Sequence, residues 1–566
     1  MSDNPIYDRQ PVPENRLQPA RYFAANYAGE HIAGTEFVIG AAFVSWGVSA
    51  GDLIIGLLVG NLLAVLTWTL VCAPIAVRTR LTLYAYLEKI AGPGFVKIYS
   101  VVNGLLFCIL AGSMITVSAS AVRIPLGIPA QTDFFPDDIR FVLTACAVGA
   151  VVVAVAVLGF RRLAQFAGAV TPWMIAMFLV GALITYPVLA GAAGVENALS
   201  LDGFWQVAQT QVWTGAADSG FTAWHVGAFA WIANLAMHGG MSDMSLLRFA
   251  PRASYGLFSA LGMFVGHFLA WIWAGIMGAG AALLLGTTLS ALDAGEVANQ
   301  ALGVVGIVAV IIAGWTTSNP TLYRAGLAFQ SLNPAWSRRT VTLVVGIVTT
   351  AIACFPFVFT RLLDFVGLMG LTLAPVGAVI MTEYWVLPRT RAGRHWLERT
   401  GRTFSLPALA AWVAGLAVAW ACHTAGLHLY FLLLPAWIAT MIAYAGFAVL
   451  AAGPVQSAPS EPAATSAAPD APASAAATDT GTATDTAASS ASLGRLVLRA
   501  IFLASLAACV AIGLSVLFAA PDTVATQLAQ AQQWLIVPTI ICLAAAAALA
   551  VFDGKTADAE QDAGAQ

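Results

Sequence analysis

Apolar residues in this chain fall in long runs separated by short polar stretches. With a window of about 19 residues, the runs cover 22–48, 53–77, 95–122, 141–158, 164–189, 225–249, 257–285, 301–327, 341–359, 362–387, 407–424 and 427–450. A helix needs about 20 residues to cross the hydrocarbon of a bilayer, so these read as twelve transmembrane spans. Composition then changes. Residues 453–493 are mostly Ala, Ser, Thr, Pro and Asp with no aromatic side chain. Such a segment buries too little apolar surface to offset its ordering entropy, and it reads as a disordered linker. Two more apolar runs, 496–519 and 534–552, follow it as an appended hairpin, expected to be dispensable for whatever the first twelve spans do.

Composition agrees with this pattern. Of 566 residues, 59% are hydrophobic and only 9% charged, and mean hydropathy is +0.82. A soluble domain carries roughly a quarter charged residues, so a water-soluble globular protein is excluded. A net charge of −3 gives no electrostatic footprint for nucleic acid. The seven cysteines lie inside apolar runs without CxxC spacing and read as small core residues. Residues 1–21 are polar and proline-containing, without the apolar core of a signal peptide. They read as a cytoplasmic tail, with span one as the insertion signal. All 25 Lys and Arg except Arg123, Arg140 and Arg361 then fall on the cytoplasmic side, as the positive-inside rule demands. The expected protein is multi-pass in the cell (inner or plasma) membrane, with both termini cytoplasmic, including a tail at 553–566.

Charges inside a bilayer are costly and mark function by default. Span one carries Glu30, His31 and Glu36 within Gly29-Glu-His-Ile-Ala-Gly-Thr-Glu36, and span six carries His238-Gly-Gly-Met-Ser-Asp243. Glycine and side chains that compete for backbone bonds weaken a helix, so both spans are expected to be broken near their middles. Freed backbone at membrane depth is tolerated only against protein or a water-filled cavity. Spans one and six open two five-helix halves, 22–189 and 225–387, with 407–450 trailing. Breaks at corresponding positions of two halves point to a midplane site in an inverted-repeat transporter. Gly34 taken alone is more simply a packing glycine. In span eight, Ala313, Thr316 and Thr317 share one helix face. Two hydroxyls and a carbonyl there suit a hard cation, although Thr hydroxyls also bond back to the preceding turn.

Trp315-Thr-Thr-Ser-Asn-Pro-Thr-Leu-Tyr-Arg-Ala-Gly-Leu327 resembles the eighth helix of the nucleobase:cation symporter-1 family. Looser matches are Gly60-Asn-Leu-Leu63, Ser242-Asp243 followed by Arg248-Phe249, and residues 365–384 in span ten. The likeness covers roughly residues 20 to 450. It implies an all-α, five-plus-five inverted-repeat fold of twelve core helices, here with a two-helix extension. It also implies transport of a nucleobase or related heterocycle with Na⁺ or H⁺, and no cofactor beyond that ion. The family's cation ligands fall on Ala313, Thr316 and Thr317, with first-helix carbonyls near Glu30 and Ala33. Its solute contacts fall on Gly34 and Thr35, on Phe107 with Asn103 nearby, and on Asn234 to Gly240, among them His238 and Gly239. Phe107 stands where the family often has Trp, and Glu30 where it has a small residue. A carboxylate there could itself neutralise a cation or carry a proton.

His31, Glu36 and Asp243 are the candidate coupling or gating groups. Arg324 reads as snorkelling to the interface, and His225, His267 and His423 as ordinary core or interfacial residues. The expected protein is a monomeric transporter, not an enzyme. The rival reading is an intramembrane metalloenzyme in which Glu30, His31, Glu36, His238 and Asp243 gather around a metal.

Overall fold

The computed structural model describes residues 9–216, 219–333, 335–452 and 485–563, and builds them from helices. Eleven helices among these residues are long and apolar enough to cross a membrane, and the chain is a multi-pass membrane protein. Three predicted runs are not single long helices. Runs 22–48 and 225–249 are interrupted, while 341–359 divides into Arg338–Ala353 and Phe357–Thr360, because Pro356 cannot continue the hydrogen-bond ladder of the first. Most of the predicted linker, 453–484, lies outside the described residues. Its last part is corrected, since helix Asp485–Leu517 includes 485–493; three of these nine residues are alanine, the best helix former.

Span three belongs to the long helix Leu83–Val122, kinked at Gly92 where φ is 83° and ψ 161°. A methyl group on Gly92 would lie 2.3 Å from the carbonyl oxygen of Thr403, so only glycine permits both this backbone and this approach. Helix Ile139–Ala193 carries spans four and five. Wide π-type turns interrupt span two at Trp68–Cys72, span seven at Leu261–Leu269 and span ten at Thr382–Val386. Such turns recur at functional sites because they swing side chains off the regular helical face.

The C-terminal hairpin is not a mere appendage. Phe502, Cys509, Val516, Ala531, Leu535, Cys542 and Ala546 share one buried cluster with Trp173, Met177 and Val180 of span five and with Ala301, Leu302 and Val305 at the start of span eight. Gln532 Nε2 also donates to the carbonyl of Gln300 at 2.8 Å. Cys146 likewise departs from expectation: it is exposed, while Cys354 is buried.

Candidate functional site

Span one consists of half-helices Ala20–Glu30 and Thr35–Ser45, with 31–34 between them. Span six consists of Ala223–Ile232, Leu235–His238 and Met244–Leu247. Met241, in the second gap, has a φ of 62°, a left-handed conformation that costs energy for any residue with a side chain and persists only where surrounding structure enforces it. Both expected breaks are therefore present. Close approaches hold them against their neighbours. A methyl on Gly34 would lie 2.6 Å from Val117 Cγ1 of span three and 3.2 Å from the backbone nitrogen of Gly314 in span eight. Gly34 thus serves the packing that lets the first break abut the Ala313–Thr317 face.

The acidic residues of the two breaks meet through a base. The Arg324 guanidinium donates through Nη2 to Glu30 Oε2 at 3.1 Å and to Asp243 Oδ1 at 3.0 Å, and through Nη1 to Glu30 Oε1. Arg324 is 6% exposed, which corrects its reading as a snorkelling side chain. Glu30 is accordingly held in a bidentate ion pair rather than presented to a free cation. The Tyr27 hydroxyl and the Trp68 indole N–H both donate to Asp243 Oδ2, at 2.6 and 2.8 Å. Spans one, two, six and eight are fastened at this one carboxylate.

Beside it lie two imidazoles, each bonded through one ring nitrogen to a backbone carbonyl. His31 Nδ1–H donates to the Tyr27 carbonyl at 2.7 Å, and Nε2 lies on the other side of the ring. His238 Nε2–H donates to the Trp231 carbonyl at 3.3 Å, leaving Nδ1 as a lone pair. Both remaining nitrogens are buried and have no hydrogen-bond partner. Both rings pack on Trp68, His31 edge-on with centroids 5.8 Å apart and His238 at 4.5 Å. A buried polar atom without a partner is costly, so these two nitrogens are candidate contacts for a ligand.

Glu36 belongs to an adjoining group, whose His267 ring meets that of His31 edge-on with centroids 5.1 Å apart. The Trp271 indole N–H donates to Glu36 Oε2, the Thr35 hydroxyl donates to Oε1 at 3.4 Å, and His267 Nε2 lies 3.8 Å from Oε1. His267 stacks on Trp271 with centroids 4.3 Å apart, and its Nδ1 accepts from Asn234 Nδ2 at 3.1 Å. In span eight, the hydroxyls of Thr316 and Thr317 donate to the Ala313 carbonyl at 3.2 and 3.0 Å. This is the back-bonded arrangement, and it nonetheless gathers three oxygens on one face. The carbonyl of Ala33 accepts from the Glu36 backbone N–H at 3.2 Å.

Among the other predicted residues, Asn103 donates to the Tyr84 hydroxyl at 2.7 Å and its Oδ1 is unpartnered. Phe107 is fully buried, in the same cluster as Met237 and Met241. The span-three aromatic that reaches the second break is Tyr99, whose hydroxyl donates to the Gly240 carbonyl at 3.5 Å. Gly239 lies against span ten: its carbonyl would stand 1.6 Å from a methyl on Gly377. The five residues of the metalloenzyme reading do not gather, and no group of three His, Cys, Asp or Glu placed to hold a metal occurs among the described residues. Instead they divide between the Arg324 network, the Trp68 imidazoles and the Glu36 group.

Sequence reasoning missed Tyr27, Trp68, Tyr99, His267, Trp271 and Arg324. It also missed Asn319, whose Oδ1 is buried without a partner, although Asn319 stands within the span-eight motif. For Trp68 and His267 no local signal was available, since both are single polar-edged rings in apolar runs. Arg324 stands out only as a charge eight residues beyond Thr316 in the same span, which does not separate an enclosed arginine from a snorkelling one.

No protein-family model matches the chain. Cytosine permease from Escherichia coli O157:H7 is 27% identical over 247 residues, 43% of this chain and 54% of that protein. Cytosine permease from Escherichia coli K12 is 26% identical over the same shares. The match thus spans about half the length of these curated relatives. Among solved structures, Mhp1, a nucleobase-cation-symport-1 family transporter, in a closed conformation with bromovinylhydantoin bound, aligns with a TM-score of 0.59 at 18% identity, covering 78% of this chain and 94% of that one. Its inward-facing conformation gives 0.60 at 16% identity, over 78% and 93%. A Na⁺-coupled sialic acid symporter, substrate-bound and outward-open, gives 0.53 at 14% identity, over 79% and 92%. At these identities the structures carry the fold, which is the all-α inverted-repeat transporter architecture. The chain is thus similar in sequence to cytosine permeases over about half their length, and similar in fold to a nucleobase-cation-symport-1 family transporter.

Proposed function

We propose that this chain is a secondary active transporter that moves a small, planar, nucleobase-like heterocycle together with a cation by alternating access. The observation that carries this reading is the pair of unpartnered imidazole nitrogens, His31 Nε2 and His238 Nδ1, packed on Trp68 where the two helix breaks meet. Two buried, unpartnered ring nitrogens beside an aromatic face suit a heterocycle that offers them hydrogen bonds and stacks. Asn103, Phe107, Asn234, Gly239 and Gly240, with Gly34 and Thr35, line or position this solute site in the proposal. The cation, Na⁺ or H⁺, is assigned to the face made by Ala313, Thr316 and Thr317 opposite Ala33. Oxygen separations of 3.0 and 3.2 Å there support it, since rotating the hydroxyl protons away leaves three converging lone pairs. Glu30 is proposed to act through Arg324, and His31, Glu36 and Asp243 to sense occupancy. Each ligand favours the conformer that the other also binds better, and that shared preference is the coupling.

The test is uptake of labelled cytosine, uracil, hydantoin and allantoin into proteoliposomes, with sodium and proton gradients imposed separately. Gradient-driven accumulation of at least one of these, lost in Thr317→Ala, is expected. If no solute accumulates under either gradient, the transport reading is wrong. If Thr317→Ala keeps full cation dependence, the cation lies elsewhere.

A further inference from the structure

Cys146 of span four and Cys354 at the end of span nine lie 3.5 Å apart, sulfur to sulfur. Their helices are brought together by small residues on the same faces. A methyl on Gly149 would lie 2.4 Å from Thr350 Cγ2, and one on Gly346 would lie 2.5 Å from Val153 Cγ2. The pairs 146/354, 149/350 and 153/346 therefore follow one antiparallel register along the two helices. Disulfides need closely spaced backbones and an S–S distance of about 2.05 Å. From 3.5 Å, the remaining gap of about 1.5 Å is within reach of side-chain rotation. The two thiols also differ in the way a two-step exchange requires. Cys146 is exposed on the outer face of the apolar span Ile139–Val157, where a membrane-permeant oxidant reaches it, whereas Cys354 is buried, with its S–H directed to the Thr350 carbonyl at 3.3 Å.

We propose that Cys146 and Cys354 form a dithiol modification site that a disulfide-class oxidant converts to an interhelical disulfide between spans four and nine. The Cys146 thiolate attacks one sulfur of the oxidant RSSR, forming a mixed disulfide and releasing RS⁻. The Cys354 thiolate then attacks the Cys146 sulfur and releases the second RS⁻. Both cysteine protons end on the leaving thiolates, so two cysteine thiols and one RSSR give one disulfide and two RSH. In the orientation expected from the positive-inside count, these ends of the spans face the non-cytoplasmic side, where disulfides persist. The site is independent of the solute and cation assignments.

The experiment takes the full-length chain in lipid nanodiscs, reduces it with dithiothreitol, removes the reductant and adds dithiodipyridine. Free thiols are then counted by maleimide mass shift, and cross-linked peptides are identified by mass spectrometry. Expected is the loss of two of seven reactive thiols under denaturation, with a peptide joining Cys146 to Cys354. Cys422→Ser should leave this cross-link intact, while Cys146→Ser and Cys354→Ser should each abolish it. The oxidised wild type should also melt at a higher temperature, reversed by dithiothreitol. Recovery of all seven thiols after oxidation overturns the proposal, as does a cross-link that survives in Cys146→Ser.

Discussion

The indole N–H of Trp68 donates to the carboxylate of Asp243 at 2.8 Å, tying the wide turn of span two to the break in span six. A hydrogen bond to a charged group is worth about 1.5–3 kcal/mol. Trp68→Phe keeps a ring against His238 and removes the donor, so its unfolding free energy should fall by that amount. In an Asp243→Asn background the same change should cost clearly less, since the charge it served is gone. Equal costs in both backgrounds would mean that the indole acts through packing alone.

Arg324 bridges Glu30 and Asp243. Removing one partner of a buried ion pair costs about 3–5 kcal/mol, because a charge is left uncompensated. Arg324→Ala should therefore unfold at markedly lower temperature in detergent, and Glu30→Gln should cost less because Asp243 still faces the guanidinium. Wild-type stability in Arg324→Ala would show that the network contributes nothing.

Solute binding should be most sensitive at the unpartnered imidazoles. His238→Phe keeps the ring contact with Trp68 and removes the acceptor, and calorimetry with cytosine or hydantoin should show affinity reduced at least tenfold, about 1.4 kcal/mol. Stacking on an aromatic ring contributes about 1–3 kcal/mol per base in nucleic-acid complexes. Phe107→Ala should accordingly weaken binding similarly and Phe107→Trp preserve it if Phe107 stacks on the solute. If Phe107→Ala binds as wild type does, the platform is Trp68 instead.

Truncation after Leu450 uncovers Trp173, Met177 and Val180, which pack in one cluster with Phe502, Cys509 and Val516. Burial of each large apolar side chain is worth about 1.5–3 kcal/mol relative to water, though lipid replaces part of that contact. The truncated chain should insert yet melt several degrees lower, as read by fluorescence-detected size exclusion on heating. An unchanged melting temperature would restore the view of the hairpin as dispensable.

Asp293 accepts from Arg123 Nε at 2.7 Å, with both side chains buried, and fastens the end of span three to the short helix before span eight. Asp293→Asn leaves that guanidinium with Glu296 at 3.4 Å and should lower thermal stability by about 3 kcal/mol. Restoring a carboxylate with Asp293→Glu should recover part of it; no recovery would point to packing rather than charge.

The apolar runs by themselves determined that this chain crosses a membrane many times, because the cost of exposing a backbone polar group to lipid leaves a helix almost no alternative. Glycines and charges in 29–36 and 238–243 were equally legible as helix breaks, since a break has local causes. The Trp315–Leu327 motif by itself carries the resemblance to the nucleobase:cation symporter-1 family. What the sequence did not determine was which charges meet. Glu30 and Arg324 are 294 residues apart, and nothing local to either distinguishes a snorkelling arginine from one enclosed between two acids. Nor did it single out Trp68 or His267, whose meaning depends on the wide turns that aim them and on the helices opposite. It joined the hairpin to the core no better, because an apolar face reads the same whether lipid or Trp173 covers it. Pairing across distant segments is decided by helix packing, and in a bilayer that packing rests on close approach and buried polar bonds rather than on hydrophobicity.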